Sequence, residues 1–191
     1  MSALSAEPES GWDEIVRVWE ETDAPEGSKV EIIEGVVTVS PPPSGDHNIT
    51  AALLQRRLYT QLPESWEIFQ TLGLELPADQ DIFIPDLAVI PVDSVRGRDL
   101  VSASEAELVV EVTSRSNANH DRIKKAHGYA RAGVPLYLLL DPWHSGRPTA
   151  TLYGEPESGT YRVLASVEYG EKFTLPAPFN LDLDTSTFPI P

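Results

Sequence analysis

Leu108-Val109-Val110-Glu111-Val112-Thr113, then residues 119–132 closed by Gly133 and Pro135, then Leu136-Tyr137-Leu138-Leu139-Leu140-Asp141-Pro142 together decide the fold. The two outer runs are apolar and of strand length. The second is almost wholly apolar, as a central strand covered on both faces must be. Between them residues 119–132 read as a helix, with a glycine just past the end and a proline two residues on to stop it. Strand, helix and strand in this order predict two parallel neighbours joined by a right-handed crossover.

Upstream, residues 66–76 and 82–90 read as two further strands around the polar turn Pro77-Ala78-Asp79-Gln80-Asp81. In residues 46–62, Ile49, Leu53, Leu54, Leu58 and Leu62 recur at three- to five-residue steps. That spacing suits an amphipathic helix started by Ser44 or Asp46 and laid on a sheet face. Residues 30–33 and 36–39 read as a hairpin about Glu34-Gly35. Residues 12–19 read as a short helix with Trp12, Ile15, Val16 and Trp19 on one face, and residues 1–10 as disordered. Downstream, residues 149–153 and 161–166 read as meander strands before a proline-rich tail. The expected fold is α/β: one domain over residues 11–191, with a mixed central sheet flanked by helices, an N-terminal hairpin and C-terminal meander strands.

Two of the strands carry a lone carboxylate in an apolar run. Asp86 lies in Ile82-Phe83-Ile84-Pro85-Asp86-Leu87-Ala88-Val89-Ile90, and Glu111 lies twenty-five residues later. Burying an ionised carboxylate unpaired costs several kcal/mol, so such a residue is aimed at a cation, at a donor network or out of the sheet. If the two strands pair, both acids can face one ion. Oxygen ligands suit Mg²⁺ or Mn²⁺, and the absence of cysteine disfavours zinc. Asp121 and Lys125 stand one helical turn apart just downstream. Two acids with an ion and a lysine form a set suited to phosphodiester cleavage, the lysine orienting water or offsetting developing negative charge.

The 191 residues are 41% hydrophobic, enough for one real core and short for two. With no cysteine there are no disulfides, which fits a reducing cytoplasm. No apolar stretch approaches the roughly 18 residues that span a bilayer, and no signal peptide is expected from the first residues. The net charge of −16 argues against coating nucleic acid by electrostatics alone. The charge is uneven, however. Eight of the 14 Lys and Arg fall in residues 96–147 against six acids, a segment of net +2, whereas residues 1–34 hold ten acids. A solubilising surface accounts for that acidic excess.

Glu34-Gly35, Ser40-Pro41, His47, Pro85-Asp86, Glu111-Val112, Ser114, Asp121, Lys125, Tyr129, Gly133-Val134, Tyr137 and Asp141-Pro142 form an ordered string. It resembles the signature of the Uma-type restriction endonucleases of the PD-(D/E)XK nuclease superfamily, from about residue 31 to residue 184. The resemblance implies a restriction-endonuclease-like core, with Asp86 and Glu111 as ligands of Mg²⁺ or Mn²⁺ and DNA as substrate. It carries one departure. The superfamily places a lysine two positions after the second acid, where this chain has Thr113; relatives supply one from the following helix, which here offers Lys124 and Lys125. A helical wheel puts Ile123, Ala126 and Ala130 on the packed face, Lys125 and Tyr129 at its border and Lys124 outward, which favours Lys125 as the third catalytic residue beside Asp86 and Glu111.

Other residues have plainer readings. Glu34 either joins the site or is an exposed turn residue, and His47 reads more readily as a helix-cap neighbour than as a donor to the site. Asp121 reads as a helix N-terminal acid or a partner of Lys125. Ser114 and Ser116 could hold the loop after Glu111. His120 and His127 are seven apart, not the four of paired helical zinc ligands. Two other classes stay open: a catalytically inactive nuclease-fold module that is structural or binds nucleic acid, and a hydrolase of small phosphate esters. A homodimer is expected because cutting both strands needs two sites, with Phe173, Phe179 and Phe188 of the tail either offering apolar surface or packing on their own domain.

Overall fold

A computed structural model of the chain describes residues 11–115 and 118–190. The disorder expected for residues 1–10, and the loop role expected of Ser116, lie outside the described residues. Helix α1 (Gly11–Glu20) leads into the hairpin β1 (Lys29–Ile33) and β2 (Val36–Ser40). Glu34 and Gly35 between them have φ of 53° and 71°, the left-handed pair that a two-residue hairpin turn requires. Helix α2 (Gly45–Leu58) is capped by Ser44, whose hydroxyl accepts from the His47 amide at 3.3 Å. It stops four residues short of the expected Leu62, ahead of Pro63, which disfavours helix in the residue before it.

Both spans read as long strands are broken, and each break carries the chain from one sheet to another. Residues 66–76 divide into β3 (Trp66–Phe69) and β4 (Gly73–Leu76) about Thr71, which has φ of 58°. Residues 82–90 divide into β5 (Asp81–Phe83) and β6 (Leu87–Pro91) at Pro85, which has no N–H for a sheet ladder. A short helix α3 (Val92–Val95) and strand β7 (Leu100–Ser102), neither foreseen, come before β8 (Leu108–Val112). A wide π-helical turn, His120–Lys125, then runs into α4 (Ala126–Ala132), which ends at Gly133 with φ of 79°. Strand β9 (Leu136–Asp141) follows, with β10 (Thr149–Glu157) and β11 (Thr160–Glu168) as the meander and β12 (Lys172–Leu175) and β13 (Leu181–Asp184) as a last hairpin.

The large sheet has the order β11-β10-β9-β8-β6-β3, with β8 and β9 parallel and its other pairs antiparallel. The smaller sheet has the order β2-β1-β5-β4-β7. Alternation along the central strands assigns their faces. Leu108, Val110 and Val112, with Leu136, Leu138 and Leu140, pack toward α2 and the β12–β13 hairpin. Val109, Tyr137 and Leu139 pack toward α4 and toward Leu74, Leu76 and Phe83 of the smaller sheet. The tail phenylalanines Phe173, Phe179 and Phe188 are all buried in the first of these layers. The apolar surface expected to bind a second copy is therefore filled by the chain itself. Among the described residues no helix is long and apolar enough to cross a membrane.

Candidate functional site

Strands β6 and β8 are antiparallel neighbours, Leu87 opposite Val110, and the Asp86 amide donates to the Val110 carbonyl at 3.1 Å. That register sets Asp86, just before β6, beside Glu111 near the end of β8. Asp86 accepts from the Val112 amide at 2.7 Å. Lys29 Nζ, from the start of β1, lies 2.5 Å from its Oδ1, and His47 Nε2, from the first turn of α2, lies 3.0 Å from its Oδ2. Burial alone would raise this carboxyl, but the Lys29 charge and the His47 contact outweigh it and hold Asp86 well below the usual range. His47 Nδ1 is buried without a hydrogen-bond partner among the described residues, so the ring is held by its contact with Asp86.

Glu111, on the same side of β8 as Val109, points under the helical crossover. Its Oε1 accepts from Lys125 Nζ and from the Tyr129 hydroxyl, each at 3.0 Å. Lys125 also meets Glu31 Oε1 of β1 at 2.8 Å and Asp121 at 3.6 Å. Glu31 is fixed in turn by the Ile84 amide at 2.7 Å. Desolvation raises Glu111 to about 8 and Asp121 to about 6, in each case against the pull of Lys125. The three acids keep Lys125 charged despite its burial and raise it well above an ordinary lysine.

The π-helical turn corrects the wheel drawn from the sequence. Ile123, assigned to the packed face, is 66% exposed, while Asp121 and Lys125 are both buried. At the α-helical angle of about 100° per residue Ile123 stands about 200° from both Asp121 and Lys125, so the buried face is theirs and the apolar character of Ile123 pointed to the wrong side. Lys124 points outward and pairs with Glu34, so Glu34 lies apart from the buried acids. Thr113, which stands where the superfamily has its strand lysine, donates to Asp141 Oδ1 at 2.8 Å rather than facing Asp86. Asp141 is clamped from its other side by Arg122 at 2.6 and 2.9 Å.

Sequence reasoning passed over Glu31 and Lys29. The signal for Glu31 was present, since it too is a carboxylate inside an apolar strand, Val30-Glu31-Ile32-Ile33. Lys29 at the rim of the strand carried no comparable sign. His47 fills both of its readings, its amide capping α2 and its ring meeting Asp86.

Does this set suit a divalent ion? Glu31, Asp86, Glu111 and Asp121 are four buried carboxylates facing two ammonium groups, Lys29 and Lys125. Full ionisation leaves an excess of two negative charges, which one divalent cation would balance. Burial is the main reason the Glu111 carboxyl is raised, with the charges of Asp121 and Asp86 adding to it, and a nearby cation would offset all three. Among the described residues no three His, Asp or Glu side chains close on one point as a metal cage. Mg²⁺ needs no such cage, because one or two carboxylates with water and substrate phosphate complete its shell. The acids stand at the inner end of a pocket of about 300 Å³ that also takes in Lys29, His47, Thr113 and Trp143.

The sequence pattern of the Uma2 family, described as "Putative restriction endonuclease", matches residues 12–186. The chain belongs to this family. A crystal structure of a putative nuclease belonging to DUF820, from Anabaena variabilis ATCC 29413, has the same fold at a TM-score of 0.70 and 18% identity. The match covers 93% of this chain and 96% of that one. No curated protein matches the sequence significantly. Uma2 membership and the shared fold bear out the α/β, restriction-endonuclease-like core expected from the sequence.

Proposed function

We propose that the chain is a Mg²⁺- or Mn²⁺-dependent DNA endonuclease, with residues 11–191 acting as one unit. The observation that carries this reading is the placing of Asp86 and Glu111 on neighbouring strands at the inner end of an open pocket, within a cluster of four buried carboxylates that meets only two ammonium groups. Asp86 and Glu111 would hold the ion. When bound, such an ion supplies Lewis-acid stabilisation of a phosphoryl oxygen and a more acidic water.

The protein's own groups set the rest. Lys125, fully charged and tied to Glu31 and Glu111, fixes the second carboxylate and offers positive potential for charge developing on phosphate. A lysine held charged by three acids is no proton acceptor. Lys29 and His47 fix the first carboxylate and line the pocket, and Lys29 is the cation placed to meet an incoming phosphate.

One observation favours a second reading, a nuclease-fold module without turnover: both oxygens of Asp86 are already engaged by Lys29, His47 and the Val112 amide. Cleavage of labelled DNA separates the two. The endonuclease reading predicts cleavage with Mn²⁺ or Mg²⁺, none in EDTA, and a loss of roughly 100-fold or more in Glu111→Gln, by analogy with removing one preorganised electrostatic group from an active site. Metal-independent cleavage, or a fully active Glu111→Gln, would overturn it; DNA binding with no cleavage in any divalent ion would establish the module.

A further inference from the structure

The pocket that ends on Asp86 and Glu111 has an outer half of different chemistry. One wall is Pro41, Pro42 and Pro43, the exposed link between β2 and α2. Prolines bring flat apolar ring faces and no N–H. Arg115, just after β8, and Trp143, just after β9, line the same pocket. The Arg115 guanidinium carbon lies 5.8 Å from the centre of the Trp143 ring. Trp143 is 39% exposed and belongs to neither packed layer. Its backbone is nonetheless fixed, because its amide donates at 3.1 Å to Asp141, the residue that Thr113 and Arg122 clamp. An indole at a pocket mouth with a guanidinium over its ring makes, with that guanidinium, a stacking surface for a flat π system that carries negative charge close by.

Size and charge narrow the ligand. About 300 Å³ suits a group of nucleotide size, not a duplex. With a net charge of −16 the chain lacks the long basic face that tracks paired DNA, whereas Arg115 and Lys29 in the pocket suffice for a phosphate or two. We infer that Trp143, Arg115 and the Pro41, Pro42 and Pro43 wall form a stacking subsite for an unpaired nucleobase, seated so that the adjoining phosphate faces Asp86 and Glu111. This deepens the nuclease reading and rests on it for the orientation of the phosphate. The unpaired base comes from a single strand or from a nucleotide turned out of a duplex.

The test is fluorescence-anisotropy titration of labelled DNA in Ca²⁺, using wild type, Trp143→Ala and Trp143→Phe. Four probes are compared: a single strand, an abasic strand of the same length, a fully paired duplex, and that duplex with one bulged nucleotide. Base stacking predicts that Trp143→Ala weakens single-strand binding roughly 5- to 100-fold. Trp143→Phe should stay within about threefold, because it keeps an aromatic face. Neither variant should change affinity for the abasic strand. A Trp143 effect on the bulged duplex identifies a turned-out nucleotide as an accepted source; an effect confined to the single strand identifies the strand. Equal binding of every probe by wild type and Trp143→Ala overturns the subsite, and so does an equal loss on the abasic strand. Cleavage in Mn²⁺ is followed separately: Trp143-independent cleavage that Glu111→Gln abolishes leaves the nuclease reading standing without the subsite, and base-dependent binding without cleavage leaves the subsite without the nuclease.

Discussion

Glu111 is almost wholly buried, and burial pushes it up to about 8 even with Lys125 and Tyr129 bonded to it. A carboxyl raised on folding favours the native state below its unfolded value near 4.5, and that contribution is lost as pH rises through about 8. Uptake of a cation by Glu111, as proposed, would expel a proton at neutral pH. Apparent Mn²⁺ affinity should climb by up to about tenfold per unit between pH 6 and 8 and flatten above, as read by calorimetry in buffers of different ionisation enthalpy. Lys125 is the complementary test. Lys125→Met leaves Glu31, Glu111 and Asp121 facing one another without their shared partner, the remaining cation, Lys29, being paired with Asp86. Removing one partner of a buried ion pair costs about 3–5 kcal/mol, so the melting temperature at pH 8 should fall by roughly 6–20 °C. That deficit should shrink toward pH 5, where Glu111 and Asp121 are protonated. A constant deficit across that range would show that the loss is one of packing rather than charge. At this scale the sequence was partly legible. An isolated acid in an apolar run marked Asp86 and Glu111, and the same rule would have marked Glu31, but nothing local marks Lys29, whose partner is 57 positions away.

The turn before α4 carries Asp121 and Lys125 on its buried side and leaves Ile123 out in solvent. Helix α4 presses on the smaller sheet at Gly128, where an added Cβ would meet Phe83 at 2.7 Å and Leu76 at 3.0 Å. Gly128→Ala is expected to destabilise by about 1–3 kcal/mol through overpacking, read as a lower midpoint in denaturant unfolding. The crossover from β8 to β9 was legible because buried parallel strands are written as continuous apolar runs. Of the two strand breaks, Pro85 carried a local signal, since proline cannot join a sheet ladder, whereas Thr71 carried none; that the chain changes sheets at each shows only in the tertiary arrangement.

Over the whole molecule, two sheets and the α4 crossover converge on one carboxylate cluster, with β1 giving Glu31 and Lys29, β8 giving Glu111 and the turn before α4 giving Lys125. No single segment of sequence displays such a site, since its members are spread over nearly a hundred positions; its two strand acids could be inferred only because β6 and β8 happen to be neighbours. The charge of the chain sets how it can engage nucleic acid. With one or two phosphates contacted near the pocket, the slope of log affinity against log salt for single-stranded DNA should be no steeper than about −1.5. A much steeper slope would require a basic surface beyond the pocket. The central claim, that Asp86 and Glu111 make a metal site, is tested most directly by titrating Mn²⁺ into wild type and Glu111→Gln by calorimetry at an ionic strength that screens weak surface association. One stoichiometric ion in wild type and none in the variant is the predicted result. Equal binding by both proteins, or binding by neither even with DNA present, would contradict it.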